Sequence, residues 1–444
     1  MRQLAAAISA ALLSFGMSST ADAASYVVMA NGNQINASAM RRIEAAGGTV
    51  RAHLPQIGVA IVDADDGFVG RAGNVAGIRS ITADIEWQFL APEEMGGVNA
   101  EAANPPTSGD NDRFFDLQWG HDAVQAPEAW ERGARGAGVR VAVLDSGIDA
   151  EHADLAPNLN VALSRSFVPG EHWNIQPGFY FNHGTHVAGT IAAADNGYGI
   201  IGVAPEAELV AIKVLSEYTG SGGFAGIIQG IVYAADIDAD IINMSLGADI
   251  PRNVPGAAEL FVAAGRAANY AHQQGTLLVA AAGNDGRDLD HDASLKSFPA
   301  ELPHVLSIAA TAPIGWATGT SPSLDFPASY TNFGQNGIDF AAPGGDYSYP
   351  GNEACIVRGV LQSCWVFDMV FSTISGGWSW SPGTSMAAPH VSGVAALVIS
   401  ANGGKMSPAH VERALRQGAD DLGKPGNDDF YGQGRVNAVN SLGR

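Results

Sequence analysis

From about residue 117 the chain alternates two kinds of apolar segment. Continuous apolar runs that end in Gly or a polar residue, "GVRVAVLDSG", "AELVAIKVL", "ADIINMSLG" and "GTLLVAAAGN", read as strands buried on both faces. Between them, "HGTHVAGTIAAA", "AGIIQGIVYAADI" and "GAAELFVAAGRAANYAHQQ" read as helices. This alternation predicts an α/β fold, a parallel sheet with helices on both faces. In such sheets the chemistry gathers beyond the C-terminal ends of the strands, so the residues that end each run are the candidates.

The N-terminal part has a different pattern. Residues 25–90 read as a small α+β unit: "SYVVMA" and "IGVAIVDA" are strand-like, "ASAMRRIEAAGG" is a helix stopped by Gly47 and Gly48, and "GIRSITADIEWQF" closes with a strand. The stretch "LAPEEMGGVNAEAANPPTSGDNDR" that follows has no periodicity and reads as a linker suited to cleavage. Residues 1–23 carry an early Arg, an apolar run from Leu4 to Met17, and Ala21 and Ala23 in the A-x-A arrangement of a secretory signal. A membrane anchor would need an uninterrupted run of roughly 18 apolar residues. The expected product is exported, extracellular or periplasmic.

Composition narrows the function. The chain has 444 residues, 46% hydrophobic and 15% charged, with a net charge of −22. That balance fits a compact protein and argues against nucleic acid or an anionic membrane as partner, while leaving room for bound cations. Cys355 and Cys364 lie close together. Outside the cytosol they favour a disulfide over two buried thiols, and no nearby His or second Cys pair completes a four-ligand metal site.

Polar residues at run ends or helix starts stand out, four of them, Asp145, His183, Asn284 and Ser385, as a set. Asp145 ends the first run, and alone would be a turn or cap residue. His183 and His186 open a small-residue helix; their spacing allows a metal pair, but the H-E-x-x-H pattern is absent. Asn284 ends "VAAAGN" and alone would be a turn residue. Ser385, in "GTSMAAPH", begins a helix four positions before Pro389, where a plain N-cap is the ordinary alternative. Residue 387 is Ala, so the Gly-x-Ser-x-Gly elbow is not met. Together the four have a chemical meaning. A Ser hydroxyl needs an imidazole to take its proton, the imidazole needs a carboxylate to fix its tautomer, and the oxyanion needs N–H donors.

The blocks "VAVLDSGID", "NHGTHVAGT", "INMSLG", "VAAAGN" and "GTSMAAPHVSG" closely resemble, in sequence and in order, those of subtilisin-like serine proteases, from about Gln118 to Ala438. The resemblance implies a serine endopeptidase in which Asp145 orients, His183 is the general base, Ser385 attacks, and Asn284 donates to the oxyanion. It leaves His186 a structural role. It also implies that a polypeptide substrate lies as an extended strand between Gly220, Ser221, Gly222 and Ser245, Leu246, Gly247, with Ala282 and Gly283 walling a side-chain pocket. Residues 24–95 are similar to the inhibitory pro-segment of these enzymes, a small ferredoxin-like unit, with self-cleavage expected between about Leu90 and Pro106. Residues 96–116 would be the linker with the processing site and a calcium-binding segment, and 117–444 the catalytic domain. "NDRFF" resembles the thermitase-like branch, which implies a structural Ca²⁺ held by Asp112, Asp154 and Asn196 with carbonyls of Tyr198 and Ile200. The family implies no catalytic metal or organic cofactor, and a monomer.

Two stretches look longer than the family pattern, the acidic "DGRDLDHDASLK" and the span from Asp346 to Trp380; both are expected at the substrate cleft. Two other functions share the motifs: a catalytically silent binding protein, disfavoured because all four groups are present, and an acyl transferase to amines. The motifs do not decide between water and an amine as acceptor.

Overall fold

The computed structural model describes residues 23–90, 95–97, 108, 110–175 and 181–443. The expected signal segment, apart from Ala23, and most of the expected processing region between Leu90 and Pro106 lie outside the described residues.

The N-terminal unit runs β1 (Ala24–Ala30), α1 (Ala37–Ala45), β2 (Thr49–Leu54), β3 (Val59–Ala64), α2 (Phe68–Ala72) and β4 (Ile78–Ala83). Its antiparallel sheet has the order β2-β3-β1-β4. Strand alternation sends Tyr26, Val28, Ala60 and Val62 to a small core with Ile43 of α1 and Phe68 of α2. The opposite face, with Val27, Met29, Val59 and Ile61, packs against the rest of the molecule. The sequence reading missed β2 and α2 and merged the last strand. The segment read as one strand breaks at Asp84: β4 stays in this sheet, while β5 (Glu86–Gln88) leaves it to pair elsewhere. A short β6 (Met95–Gly97) follows.

Helices α3 (Trp119–Val124) and α4 (Ala126–Glu131) lead into β7 (Arg140–Asp145), β8 (Arg165–Ser166), α5 (His183–Ala192), β9 (Glu208–Lys213), β10 (Ser221–Gly223), α6 (Phe224–Asp236) and β11 (Ile241–Met244). Next come β12 (Ala248–Pro251), α7 (Ala257–Gln274), β13 (Leu277–Ala281), β14 (Leu295–Phe298), β15 (Val305–Ala312), β16 (Phe326–Pro327) and β17 (Phe340–Pro343). A hairpin of β18 (Ala354–Val357) and β19 (Val360–Ser363), a second of β20 (Val370–Ile374) and β21 (Gly377–Ser381), and helix α8 (Thr384–Ala401) complete the part that builds the site.

The central sheet has the order β16-β15-β13-β11-β7-β9-β8, with β17 also on β15. Its pairs are parallel except β15–β16. Alternate residues go to two cores. Val141, Val143, Leu209 and Ala211 join α5 and α8 on one face, and Ala142, Leu144, Val210 and Ile212 join α6 and α7 on the other. This is the expected α/β architecture. β8 and β9 lie on one side of β7 and β11, β13 and β15 on the other, so the crevice at the carboxyl end of β7 is the topological switch point, where ligand sites form. Asp145 is the last residue of β7.

Candidate active site

The carboxyl end of β7 meets the start of α5 closely. Gly184 makes this approach possible: a Cβ there would lie 2.2 Å from the Gly147 carbonyl oxygen and 3.0 Å from Asp145 Cβ. With the helix so placed, His183 Nδ1 is 2.9 Å and 3.0 Å from the two oxygens of Asp145. Both side chains are buried. A carboxylate on Nδ1 holds the proton there and leaves Nε2 as the basic nitrogen. The Ser146 N–H donates to Asp145 Oδ1 (2.6 Å), and Ser146 Oγ accepts from the Gly184 N–H (3.1 Å), tying the carboxylate to the helix that carries the imidazole.

Ser385 is the second residue of α8. Gly383 before the helix has φ 153° and ψ 155°, backbone that only glycine adopts without strain. The Ser385 hydroxyl donates to the Ser245 carbonyl over 3.3 Å. Pro389 has no N–H to give the Ser385 carbonyl, four residues back. Ser245 Oγ donates to that carbonyl instead, at 2.7 Å. Ser245, expected to flank substrate, therefore serves through its side chain as a brace for the nucleophile's helix.

Asn284 lies three residues beyond β13. Its Oδ1 accepts from the Thr384 N–H (2.9 Å) and Thr384 Oγ (2.8 Å). A backbone N–H can only donate, so this edge must be oxygen, and the –NH₂ edge is left for the groove that Asn284 and Ser385 line together. The same Thr384 hydroxyl accepts the Gly283 N–H at 3.1 Å. Asn332 supports the loop from beneath, donating to the Ala282 carbonyl and accepting from the N–H groups of Asp285 and Arg287. Thr384 and Asn332 were missed from the sequence, because nothing in "PGTS" or "SYTNF" states which distant loop they will hold.

The groove is lined by Gly247, Ala282, Gly283, Asn284, Thr384 and Ser385 on the body of the molecule, and by Trp87, Gln88, Phe89 and Leu90 of the tail. Ser221 and Gly222 of β10 pair antiparallel with Gln88 and Trp87 of β5, and the Gly220 carbonyl accepts from the Leu90 N–H at 3.1 Å. Leu246 is fully buried in the core and does not reach the groove. Phe89 packs against Phe298. Further along, β6 pairs with β21, so the tail is bound as a strand at two edges.

His186 does not join His183. Its Nε2 faces the Ser379 carbonyl at 3.2 Å, and burial, followed by the His183 charge, pushes its pKa down to about 3. The metal-pair reading falls with this divergence.

The residues implied for calcium form one loop system. Asp112 accepts from the N–H groups of Asn196, Gly197 and Tyr198, and Asp154 Oδ2 from Ile200 N–H and Trp378 Nε1–H. The Asn196 side chain donates to the Ala153 carbonyl. Asp154 Oδ1 is buried without a hydrogen-bond partner among the described residues. Burial raises both Asp112 and Asp154 to about 7. A buried, unpartnered carboxylate oxygen suits a hard cation, so these residues fit the group. Asp110 and Asp195 bring further carboxylate oxygens close to Asp112.

A disulfide joins Cys355 to Cys364. Its position corrects one expectation. The acidic stretch borders the groove through Asp285, Gly286, Arg287 and Leu295, whereas the span from Asp346 to Trp380 meets the bound tail at its end, where Ser379 and Trp380 of β21 pair with β6. The β18–β19 hairpin instead packs beside Phe114 and Ile200, and Arg358 pairs with Asp116 at 3.2 Å. Trp378 goes to Asp154 and Trp380 to the core with Phe367 and Phe371. The aromatic side chains of the span thus lie on the side of Phe114, Asp154 and Ile200.

A sequence model of the subtilase family matches residues 136–434. The M-protease of Shouchella clausii is 38% identical over 72% of this chain and 69% of its own length. Subtilisin Savinase of Lederbergia lenta is 37% identical over 72% of this chain and 97% of its own. Among solved structures, a mutant of the epidermin leader peptide processing serine protease of Staphylococcus aureus superposes with a TM-score of 0.74 over 95% of this chain and 99% of that one. At 22% identity that likeness concerns the fold alone. A lanthipeptide protease is 30% identical, with a TM-score of 0.60 over 74% of this chain and 95% of that one.

Proposed function

The chain belongs to the subtilase family of serine endopeptidases, and from that premise we propose that it is a secreted, self-processing zymogen acting through Asp145, His183 and Ser385. In this reading residues 1–23 are the signal peptide, 24–95 the inhibitory pro-segment, 96–116 the linker and 117–444 the catalytic domain. The observation that carries it is the seating of β5 as an added strand on β10, leading into the groove that Ser385 lines. Main-chain pairing of this kind binds a polypeptide with little regard to its sequence.

His183 takes the Ser385 proton through Nε2 as Oγ attacks the carbonyl carbon, and Asp145 stabilises the imidazolium through Nδ1–H. The oxyanion receives the Asn284 –NH₂ and the N–H of Ser385 at the open end of α8. Collapse of the tetrahedral species returns the proton from His183 to the leaving amine and leaves an acyl-enzyme on Ser385. Water, deprotonated by His183, then releases the acid. A calcium ion held by Asp112, Asp154 and Asn196 would neutralise buried carboxylates and fix the 194–200 loop; it has no part in the reaction.

The test is the purified full chain carrying Ser385→Ala. It should fold, keep its pro-segment uncut, and show no peptide hydrolysis above background; self-maturation of this variant would remove Ser385 as nucleophile. Incubating the mature wild type with a mixed peptide library and weighing the products distinguishes hydrolysis from acyl transfer to amines.

A further inference from the structure

Lys213 is among the largest fully buried side chains in the molecule, and no step above uses it. It ends β9, directly opposite Asp145 in the β7–β9 register. Its ammonium donates to the Ser146 carbonyl and pairs with Glu171 at 3.0 Å, with Glu217 at 4.0 Å. The Glu217 N–H donates to Glu171 Oε2 at 3.0 Å, closing the cluster. Ser146 is the residue that grips both Asp145 and Gly184. One buried cation thus holds the backbone that connects the carboxylate to the helix of the imidazole.

We propose that Lys213 is a positioning residue for the Asp145–His183 couple: its ammonium anchors the Ser146 carbonyl behind Asp145, and its charge opposes protonation of His183 to a degree set by Glu171. The proposal rests on His183 as general base. The charged and titratable groups tied to the couple are Asp145 on His183 Nδ1, Lys213 of β9 opposite Asp145 with Glu171 and Glu217 on its ammonium, and His186 on the same helix as His183. His186 titrates at about 3, well below the assay range, and does not blur the reading. Removing one partner of a buried ion pair leaves the other charge uncompensated, so Lys213→Met and Glu171→Gln each expose the charge that remains.

The experiment follows initial rates on labelled casein at low concentration, proportional to kcat/KM, from pH 5 to 9 with mature enzyme. Lys213→Met should lower the plateau and move the acidic limb up by about 0.5–1 unit, because losing the cation makes His183 easier to protonate. Glu171→Gln, which retains the cation and uncovers it, should move the limb down. Lys213→Arg should restore the limb toward wild type. If Lys213→Met does not mature, Glu171→Gln alone decides the sign. A limb unmoved by the variants, or moved the same way by both, overturns the proposal even if activity falls. A wild type with no acidic limb would instead remove the general-base reading beneath it.

Discussion

Asp84 sits where the N-terminal unit passes from its own sheet into the groove, and if that unit is the proposed pro-segment its binding should depend on pH. Its Oδ1 accepts the Ala225 N–H at the start of α6, at 3.1 Å. Burial raises its pKa from 3.8 to about 6, overcoming the lowering effect of the amides of Ala225, Ile85 and Phe224 and of Arg51. The bound state therefore holds more protons than the free state between about 3.8 and 6. Affinity is greatest at the acidic end and falls as pH rises through about 6, after which this group adds no further change. The full shift corresponds to a factor of about 100 in the dissociation constant. The side chain keeps partial exposure, so a factor of about 10–30 is the expected size. The assay is calorimetric titration of separately expressed residues 24–95 into a catalytic domain carrying Ser385→Ala, between pH 4.5 and 7.5. Asp84→Asn keeps an acceptor for Ala225 and removes the charge. It should bind more tightly than wild type throughout this range, by a few-fold at pH 4.5 and by about 10–30-fold at pH 7.5, and flatten this part of the profile. Weaker binding of Asp84→Asn at pH 7.5 would refute the reasoning, since it would mean that the attraction of a carboxylate to the helix N-terminus outweighs its desolvation.

Three further outcomes follow from the site. Asn284→Ala should reduce kcat by about 10²–10³ with little change in melting; Thr384→Val, which removes the hydroxyl fixing Asn284 and Gly283, should reproduce part of that loss, and an unchanged kcat would separate Asn284 from the oxyanion. Chelation should lower the melting temperature of the mature enzyme and speed its self-digestion, Asp154→Ala should abolish most of that sensitivity, and calcium affinity should fall below about pH 7, where Asp112 and Asp154 take up protons; identical melting curves with and without chelator would count against the cation. Reducing Cys355–Cys364 should cost up to about 2–3 kcal/mol of chain entropy and, because the hairpin packs beside Phe114 and Asp116, should weaken the cation loop and leave peptide preference as it was; a changed cleavage pattern would return the hairpin to the cleft.

What could be read from the chain depended on whether a residue's partner was local. The parallel sheet was legible because β7, β9, β11 and β13 are buried on both faces and so appear as unbroken apolar runs. β2 was not, since only alternate residues of "TVRAHL" are partly buried and the rest are exposed, a pattern too weak to tell from a loop. Asp145, His183, Asn284 and Ser385 stood out because each ends a run or starts a helix. Their supports did not, because Asn332, Thr384 and Lys213 act across sequence separations that no local pattern encodes. Ser245 marks the boundary between the two cases. Pro389 announces, in the sequence, that the carbonyl four residues earlier lacks its helical partner, and that carbonyl belongs to Ser385. A buried carbonyl must be satisfied, so a donor had to exist. That the donor is Ser245, whose own carbonyl in turn accepts the Ser385 hydroxyl, required the fold. The missing bond at Pro389 frees the first turn of α8 from its own ladder and hands its position to β11, so the nucleophile is registered against the sheet that also carries Asp145 and, through β13, Asn284.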